Sequence, residues 1–278
     1  MKHQIRSLSR VCLLTLVGIA AFGFASVRAN TILINFNNST TDVNGNVGTY
    51  PTGQDTSASN TGYWNNVFVA GASPYPTNIT LVDSTNAATS VTITMATTGN
   101  SFGAADGNGY SGTALDASFP HTATNSVTYL TKGTTGTFTL SGLNPALVYN
   151  FTFLSSRGSQ NNATSTGRIG DFSFAGANTV NVNGIDAGAF DGITADGTGS
   201  GFGNGTLSFA NGITPTAGGV ITITDSALNA TAGFGGYLAF LKITTTVAAP
   251  EPSTVALAII GGLGMLVVTL RRRQTAKI

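Results

Sequence analysis

The feature that most constrains this chain is a set of short runs in which apolar residues alternate with Thr or Asn. Residues 91–94, 149–153 and 220–224 show this period of two most plainly. Successive side chains of a strand point to opposite faces of a sheet, so the alternation predicts strands with one buried face. Threonine on the other face keeps a high β-propensity without creating an apolar surface.

Further runs rich in β-branched and aromatic residues occur along the middle of the chain. They lie at residues 31–36, 79–83, 127–130, 135–140, 147–154, 171–174, 179–182, 206–209 and 237–243. The segments between them are rich in Gly, Asn, Asp and Ser, which suit tight turns. This pattern predicts one all-β domain over residues 30–247, an antiparallel β-sandwich or jelly roll. A β-helix is the alternative, although the sequence has no fixed-period repeat.

Composition supports this fold class and narrows the partners. Charged residues make up 8% of the chain, against about 25% in an ordinary soluble domain. The 16 Phe and 7 Tyr residues argue against disorder, which goes with few aromatic residues. Between residues 30 and 247 ten Asp and no Glu oppose four basic residues, a net charge of −6, so the two ends carry +7 of the total of +1. A nucleic-acid site needs clustered Lys and Arg, so no nucleic-acid partner is expected.

Residues 1–29 predict a secretory signal peptide that directs export. The start of this segment is positively charged, with Lys2, Arg6 and Arg10. An apolar stretch over 11–24 follows, and small residues at the cleavage positions predict cleavage after Ala29. Cleavage near Ala25 and an uncleaved membrane anchor are the alternatives. The only cysteine of the chain, Cys12, lies in this leader, so the exported part would have no disulfide.

The segment 248–278 carries a cassette of three parts. Its first part is a proline-containing motif formed by Pro250, Glu251, Pro252, Ser253 and Thr254. Residues 252–270 carry no charge, and this stretch has roughly the minimum length that spans a bilayer as a helix. The cassette ends in a basic cluster formed by Arg271, Arg272 and Arg273. Such a cluster stays on the cytoplasmic side of a membrane, so the β domain is expected on the outer side.

This cassette resembles the PEP-CTERM sorting domain of Gram-negative bacteria. One residue departs from the pattern, because Ala249 stands where valine is more usual. The resemblance implies export through the secretion translocon, cleavage by signal peptidase, a transient stop in the inner membrane, and processing near Pro-Glu-Pro by an exosortase. It also implies a final place at the cell surface or outside the cell, and an association with exopolysaccharide and biofilm. A single-pass anchor that is never cut is the alternative.

A turn at Leu143-Asn144-Pro145 leads into Tyr149 and an alternating aromatic run. This step resembles the tyrosine corner of Greek-key sandwiches, in which the tyrosine hydroxyl bonds back to upstream backbone. The resemblance implies a hydrogen bond that pins the crossover between two sheets. An ordinary turn before a strand with a core tyrosine is the alternative.

A looser resemblance covers most of residues 31–243. The chain looks like a family of exported bacterial β domains that are similar in general appearance to galactose-binding jelly rolls. The motifs that carry this resemblance lie at residues 32–36, 62–67, 81–84 and 149–157. They support the fold class and name no ligand.

Residues suited to catalysis are scarce outside the leader. The only histidine there is His121, in a Pro-His-Thr sequence typical of a surface turn. A nucleophilic triad needs a base oriented by a third group, and glycoside hydrolysis needs two carboxyl groups at a defined separation. Most of the ten Asp residues stand beside Gly or Ser, as turn residues do. The chain is therefore predicted not to be an enzyme, although an Asp pair in one cleft would favour a hydrolase.

Two loops contain hard oxygen ligands of the kind that Ca²⁺ prefers. They are Asp106-Gly107-Asn108-Gly109 and residues 186–196. Neither loop has the spacing of an EF-hand, and plain turns are the alternative. No other cofactor and no dedicated metal site are predicted.

A glycan site would need an exposed aromatic platform beside polar groups. Trp64, the only tryptophan, with Tyr63 next to it, is the candidate platform. Arg157 and Arg168 flank a loop rich in Gly, Ser and Asn and are candidates to bond sugar hydroxyls. The alternatives are a core position for Trp64 and internal ion pairs between the arginines and Asp.

Together these features predict an exported, exosortase-sorted protein of the cell surface or extracellular matrix. It is predicted to be non-catalytic and associated with exopolysaccharide. A lectin similar to a carbohydrate-binding module and an extracellular polysaccharide hydrolase are the alternatives. A surface adhesin or filament subunit is a further class, which self-assembly of the exported domain would distinguish.

Overall fold

The computed structural model describes residues 31–37, 62–68, 78–98, 102–105, 115, 118–157, 167–187 and 206–247. The expected signal peptide (1–29) and the sorting cassette (248–278), with its proline motif, membrane helix and arginine cluster, lie outside these residues. Within the described ranges no helix has the length and apolarity to cross a membrane.

The described residues form strands and one five-residue helix, α1, at His121–Asn125. The strands are β1 Ile32–Asn37, β2 Asn65–Phe68, β3 Ile79–Val82, β4 Ala88–Thr98, β5 Gly103–Ala105, β6 Val127–Thr131, β7 Thr135–Ser141, β8 Leu147–Leu154, β9 Ile169–Ala175, β10 Thr179–Asp186, β11 Leu207–Ile213, β12 Ile221–Ser226, β13 Phe234–Leu238 and β14 Phe240–Val247. The all-β prediction is confirmed for this part of the chain.

The strands form three sheets. The order is β11-β8-β14-β1-β2 in the first, β10-β9-β12-β7-β4-β3 in the second and β13-β6-β5 in the third. Neighbouring strands are antiparallel, with one correction to the expected pattern: β1 and β2 run parallel. A parallel pair needs a long connection, and residues 38–64 separate these two strands in the sequence.

The predicted alternation places large side chains between the first two sheets. Along β8 every second residue is buried, and the same holds for β9. The ring centroids of Phe151 and Phe174 lie 5.0 Å apart, and those of Phe153 and Phe172 lie 4.9 Å apart. Because β8 and β9 belong to different sheets, these rings join both sheets in one apolar core. Fully burying such side chains contributes about 1.5–3 kcal/mol each.

A second apolar cluster covers the other face of the first sheet. Leu33, Trp64, Phe119 and Phe240 belong to it, whereas Ile34 of the same strand β1 belongs to the first core. Strand β1 is therefore buried on both faces. This explains why its sequence reads as a nearly continuous apolar run rather than as an alternation.

The side chain of Asn65 links strands that belong to the two large sheets. Its Nδ2 donates to the carbonyl oxygens of Leu33 at 3.0 Å and Val82 at 2.8 Å. Its Oδ1 accepts the Val82 N–H at 2.8 Å. The amide thus pairs with both the N–H and the C=O of Val82, a residue of the edge strand β3, as a neighbouring strand backbone would.

Two local expectations were wrong. Residues 237–243, expected as one strand, break at Ala239 into β13 and β14, which belong to different sheets. At the break Ala239 donates to Leu154 O at 2.9 Å and accepts from Phe36 N at 3.0 Å. In addition, His121 begins the helix α1 instead of lying in a turn.

The tyrosine corner is present at the start of β8. The Asn144 N–H donates to the hydroxyl oxygen of Tyr149 at 2.9 Å, which is the hydrogen bond that the sequence predicted. Burial raises the pKa of the Tyr149 hydroxyl above 10.0, against the lowering effect of the Asn144 N–H. The hydroxyl therefore stays neutral at physiological pH and holds the turn before β8.

We expect Tyr149→Phe to lower the free energy of unfolding by about 1–3 kcal/mol, because the Asn144 N–H loses its partner in a partly buried place. Urea denaturation of the purified protein measures this change. Tyr63→Phe is the matched control, since it removes a hydroxyl outside the corner. Equal stabilities of the wild type and Tyr149→Phe would show that the corner contributes nothing.

Candidate functional site

Two arginines that are separate in sequence meet at the end of β10. The Arg157 N–H donates to the Ala187 carbonyl oxygen at 2.8 Å. The Ala187 N–H in turn points to the Arg168 carbonyl oxygen, with 3.4 Å between nitrogen and oxygen. The residue after β10 therefore holds the chain leaving β8 on one side and the chain entering β9 on the other. Both arginine side chains start from backbone that the sheets position.

The two guanidinium groups converge on the hydroxyl of Tyr237. Arg157 Nη1 donates to Tyr237 Oη at 3.0 Å, and Arg168 Nη1 donates to the same oxygen at 2.8 Å. Their Cζ atoms lie 5.7 and 5.8 Å from the centroid of the tyrosine ring. We call Arg157, Arg168 and Tyr237 the Arg–Tyr cluster.

Aromatic side chains continue from the cluster towards the surface. The ring of Tyr129 stacks on Tyr237 with a centroid distance of 5.4 Å, and the rings of Phe234 and Tyr129 form a T-shaped pair with a centroid distance of 5.2 Å. Gly103 permits this stack, because a Cβ at that position would overlap the Tyr129 ring. Phe234 is 40% exposed and Tyr129 is half-buried. We call these two residues the aromatic flank.

The cluster brings two positive charges close together. Both Nη1 atoms bond to one oxygen, so they lie no more than about 5.8 Å apart. Two unit charges at that distance repel by roughly 3 kcal/mol at an effective dielectric constant of about 20, before solvent screening reduces the value. Among the described residues neither guanidinium has a carboxylate partner. The ion pairs with Asp that the sequence left open are therefore not formed there.

The nearest described acid to Arg168 bonds to backbone. Asp186 accepts the Gly167 N–H at 2.7 Å on one oxygen and the Arg168 N–H at 3.1 Å on the other. The carboxylate thus fixes the entry into β9. It positions the backbone from which the Arg168 side chain extends.

The cluster presents hydrogen-bond donors. Burial raises the pKa of Tyr237 above 10.0, and the two guanidinium groups oppose this shift without reversing it. The phenol stays protonated at neutral pH, so its oxygen accepts from both arginines while its own O–H remains a donor. Arg168 Nε is also buried and makes no hydrogen bond. A ligand held here must supply acceptors.

The predicted platform at Trp64 is corrected by the structure. Trp64 is fully buried, and its ring meets the rings of Phe119 at 6.5 Å and Phe240 at 6.0 Å. It is a core residue and offers no exposed face to a sugar. Tyr63 is half-buried and lies beside Ser84, to whose carbonyl its N–H donates at 2.9 Å.

Of the predicted glycan residues, Arg157 and Arg168 lie in the cluster, whereas Trp64 and Tyr63 do not. Tyr237, Tyr129 and Phe234 were not identified from the sequence. The signal that could have pointed to Tyr237 is Gly235-Gly236 immediately before it, because two glycines in a strand indicate close approach of another backbone. A Cβ on Gly235 would indeed overlap the Ile169 carbonyl oxygen.

The two candidate Ca²⁺ loops lie largely outside the described residues. Residues 106–109 are not described, and of 186–196 only Asp186 and Ala187 are. Within the described ranges no group of three or more His, Cys, Asp or Glu side chains could hold a metal ion.

One carboxyl group lies inside the apolar core. In β12 the side chain of Asp225 faces the same way as Ile221 and Ile223, and it is fully buried. Neither of its oxygens has a hydrogen-bond partner of good geometry. Gly236 packs directly against it, since a Cβ there would overlap Oδ1. Burial raises the pKa of Asp225 well above 3.8, opposed by the backbone N–H of Ser226 and reinforced by the charge of Asp171.

Asp171 and Asp225 do not share a cleft. Phe172 and Phe174 of β9 face the core, so Asp171 lies on the opposite face of its sheet. Its two oxygens accept from the Gly184 N–H and from Asn229 Nδ2, each at 2.6 Å. The pair therefore lacks the arrangement of acid and base across one substrate that a glycosidase requires.

Comparison with known proteins assigns no function to the Arg–Tyr cluster. No protein-family model matches the chain, and no curated protein matches it. The arrangement offers guanidinium and phenol donors beside a partly exposed aromatic surface. That combination suits binding of a ligand that is rich in oxygen acceptors and has an apolar face.

The buried Asp225 predicts an unusual pH dependence of stability. Because the folded-state pKa of Asp225 lies above the ordinary 3.8, the contribution of this group to stability is fully present below pH 3.8 and is lost as the pH rises through the folded-state pKa. We expect Asp225→Asn to raise the free energy of unfolding at neutral pH and to flatten this decline. Urea denaturation across a pH series measures both effects.

Asp83→Asn is the control with the opposite sign. Burial alone would raise the pKa of Asp83, but hydrogen bonds from the Thr85 hydroxyl and the Ala87 and Thr85 N–H groups outweigh it and lower the pKa below 3.8. Its contribution is present above 3.8 and is lost as the pH falls through the lowered value, so this variant should be less stable at neutral pH. If Asp225→Asn behaved like Asp83→Asn, the charge cost assigned to Asp225 would be wrong.

Proposed function

We propose that this chain is an exported β-domain protein that binds polysaccharide, without catalysis, at the cell surface or in the extracellular matrix. The observation that supports this function is the convergence of Arg157 and Arg168 on Tyr237 beside the aromatic flank. A sugar has hydroxyl and ring oxygens on its edge and C–H groups on its faces. Guanidinium donors suit the edge, and aromatic rings suit the faces.

The proposed fold of this protein is a β-sandwich of the jelly-roll type. The apolar core shared by the two large sheets supports it, as does the tyrosine corner at Tyr149. Strands β1 and β14 are adjacent and antiparallel in the first sheet, so the first and last described strands lie side by side. Loops at the ends of such a framework commonly carry binding sites.

The sorting part of the proposal rests on the cassette at 248–278. The residues Pro250, Glu251 and Pro252, the uncharged stretch and the arginine cluster follow one another in the order of the PEP-CTERM pattern. Prolines hold the backbone extended and unhelical, in a form that a processing enzyme can take as a strand. An exosortase would then release the β domain from the inner membrane.

Mass spectrometry of the mature protein tests the sorting proposal. We expect an N-terminus at Asn30 and a C-terminus near Pro250 in a host that has an exosortase. The same host without the exosortase, and a Pro250→Ala/Pro252→Ala variant in the original host, should both retain Ile278. A C-terminus at Ile278 in the wild type from the exosortase host would remove the proposal.

A glycan array tests the binding proposal with the full chain and with Arg157→Gln and Arg168→Gln. We expect each variant to lose most of the signal, because a charge-assisted hydrogen bond is worth about 1.5–3 kcal/mol. Lys132→Gln is the matched control, since it removes the same charge from a lysine whose Nζ contacts the Thr231 carbonyl at 3.5 Å. Equal loss in all three variants would show unspecific attraction, and no signal from the wild type would remove the function.

A further inference from the structure

We infer that the Arg–Tyr cluster recognises the carboxylate of an acidic sugar, a uronic acid unit within a polysaccharide. This inference rests on the polysaccharide binding proposed above and names the chemistry of its ligand. The two guanidinium groups of the cluster carry two positive charges, which a neutral sugar would leave uncompensated.

The donors of the cluster are matched by a carboxylate. Two guanidinium groups meet at the Tyr237 oxygen, and a guanidinium carries five N–H donors in a planar fork, of which this contact uses one from each arginine. A carboxylate has two oxygens with about four acceptor sites, and it pairs with arginine through parallel hydrogen bonds. Tyr237 itself is 2% exposed, so the donors offered to a ligand are those of the two guanidinium groups that it holds together. No other side chain type provides so many donors at one point.

Charge balance favours an anion over a neutral ligand. The two guanidinium groups have no carboxylate partner among the described residues, and Asp186 bonds to the backbone of Gly167 and Arg168. An incoming carboxylate would reduce the mutual repulsion of Arg157 and Arg168. A neutral sugar would accept hydrogen bonds without that gain.

The aromatic flank favours a sugar as the carrier of the carboxylate. Phe234 is 40% exposed and contacts Tyr129, which stacks on the ring of Tyr237. A pyranose ring bearing the carboxylate could therefore lie against Phe234 and Tyr129 while its acid group reaches the arginines. An isolated anion would leave these rings unused.

The net negative charge of the rest of the domain confines binding of an acidic polysaccharide to the Arg–Tyr cluster. Residues 30–247 carry a net charge of −6 with four basic residues, so the domain as a whole repels a polyanion. Two of those four bases are in the cluster. Binding of an acidic polysaccharide therefore depends on this one place rather than on a general basic surface.

Titration calorimetry of the full chain with trigalacturonic acid tests the inference. We expect binding that weakens about tenfold or more when the carboxylates of the probe are methyl-esterified, because the charge-assisted pairs are lost. Arg157→Gln and Arg168→Gln should each weaken binding of the acidic probe by a similar factor. Neither variant should change the affinity for the esterified probe to that extent.

Two further variants separate the parts of the site. Tyr237→Phe keeps the ring and removes the shared oxygen, so it should weaken binding of the acid while the unfolding transition stays cooperative. Lys132→Gln should leave the affinity for the acid unchanged. A peptide of glutamates serves as a second carboxylate source without a sugar ring, and it should bind at least about tenfold more weakly than trigalacturonic acid, because it has no ring to cover the aromatic flank.

The outcomes distinguish this inference from the function on which it rests. Equal affinity for trigalacturonic acid and its methyl ester would show that the cluster does not recognise the carboxylate, while the proposed polysaccharide binding would stand. Equal affinity for the glutamate peptide would overturn the sugar as carrier. Loss of affinity with Lys132→Gln as large as with Arg168→Gln would overturn the cluster as the site. Failure of every polysaccharide on the array would remove the proposed function itself.

Discussion

The two large sheets depend on one shared apolar face, in which phenylalanines of β8 meet phenylalanines of β9. Phe151 and Phe153 alternate with polar residues along one strand, as Phe172 and Phe174 do along the other. A shift of either strand by one residue would turn its rings to the opposite face. Burial of these rings therefore specifies the register, and the register specifies where each strand leaves its sheet.

The candidate site follows from those exit points. Arg157 follows β8 and Arg168 precedes β9, and both bond to Ala187 at the end of β10. A rigid framework of strands can hold two cations against their repulsion, which a flexible loop could not do at the same cost. The same constraint explains Asp225, because the register that buries Ile221 and Ile223 carries the carboxyl group into the core two residues later.

A strand could be predicted from the sequence where its own residues determine it, and was missed where residues distant in the chain determine it. The bounds of β8 agree with the run at 147–154, since period-two alternation and aromatic residues act within the strand itself. Strand β2 was missed because Asn65 and Asn66 have low β-propensity; it forms by pairing with β1 and through the bonds of Asn65 to distant backbone. The break at Ala239 was also missed, because its hydrogen-bond partners, Leu154 and Phe36, are remote in sequence.

Sequence pattern alone was sufficient for the all-β class, for most strand positions and for the tyrosine corner, because alternation and turn chemistry are properties of neighbouring residues. It could not determine which aromatic residues reach the surface. Trp64 is covered by Phe119 and Phe240, and Phe234 is left 40% exposed. Burial and charge partners are set by contacts between residues far apart in the chain. Only the tertiary structure therefore shows that Trp64 is a core residue and that two arginines meet at Tyr237.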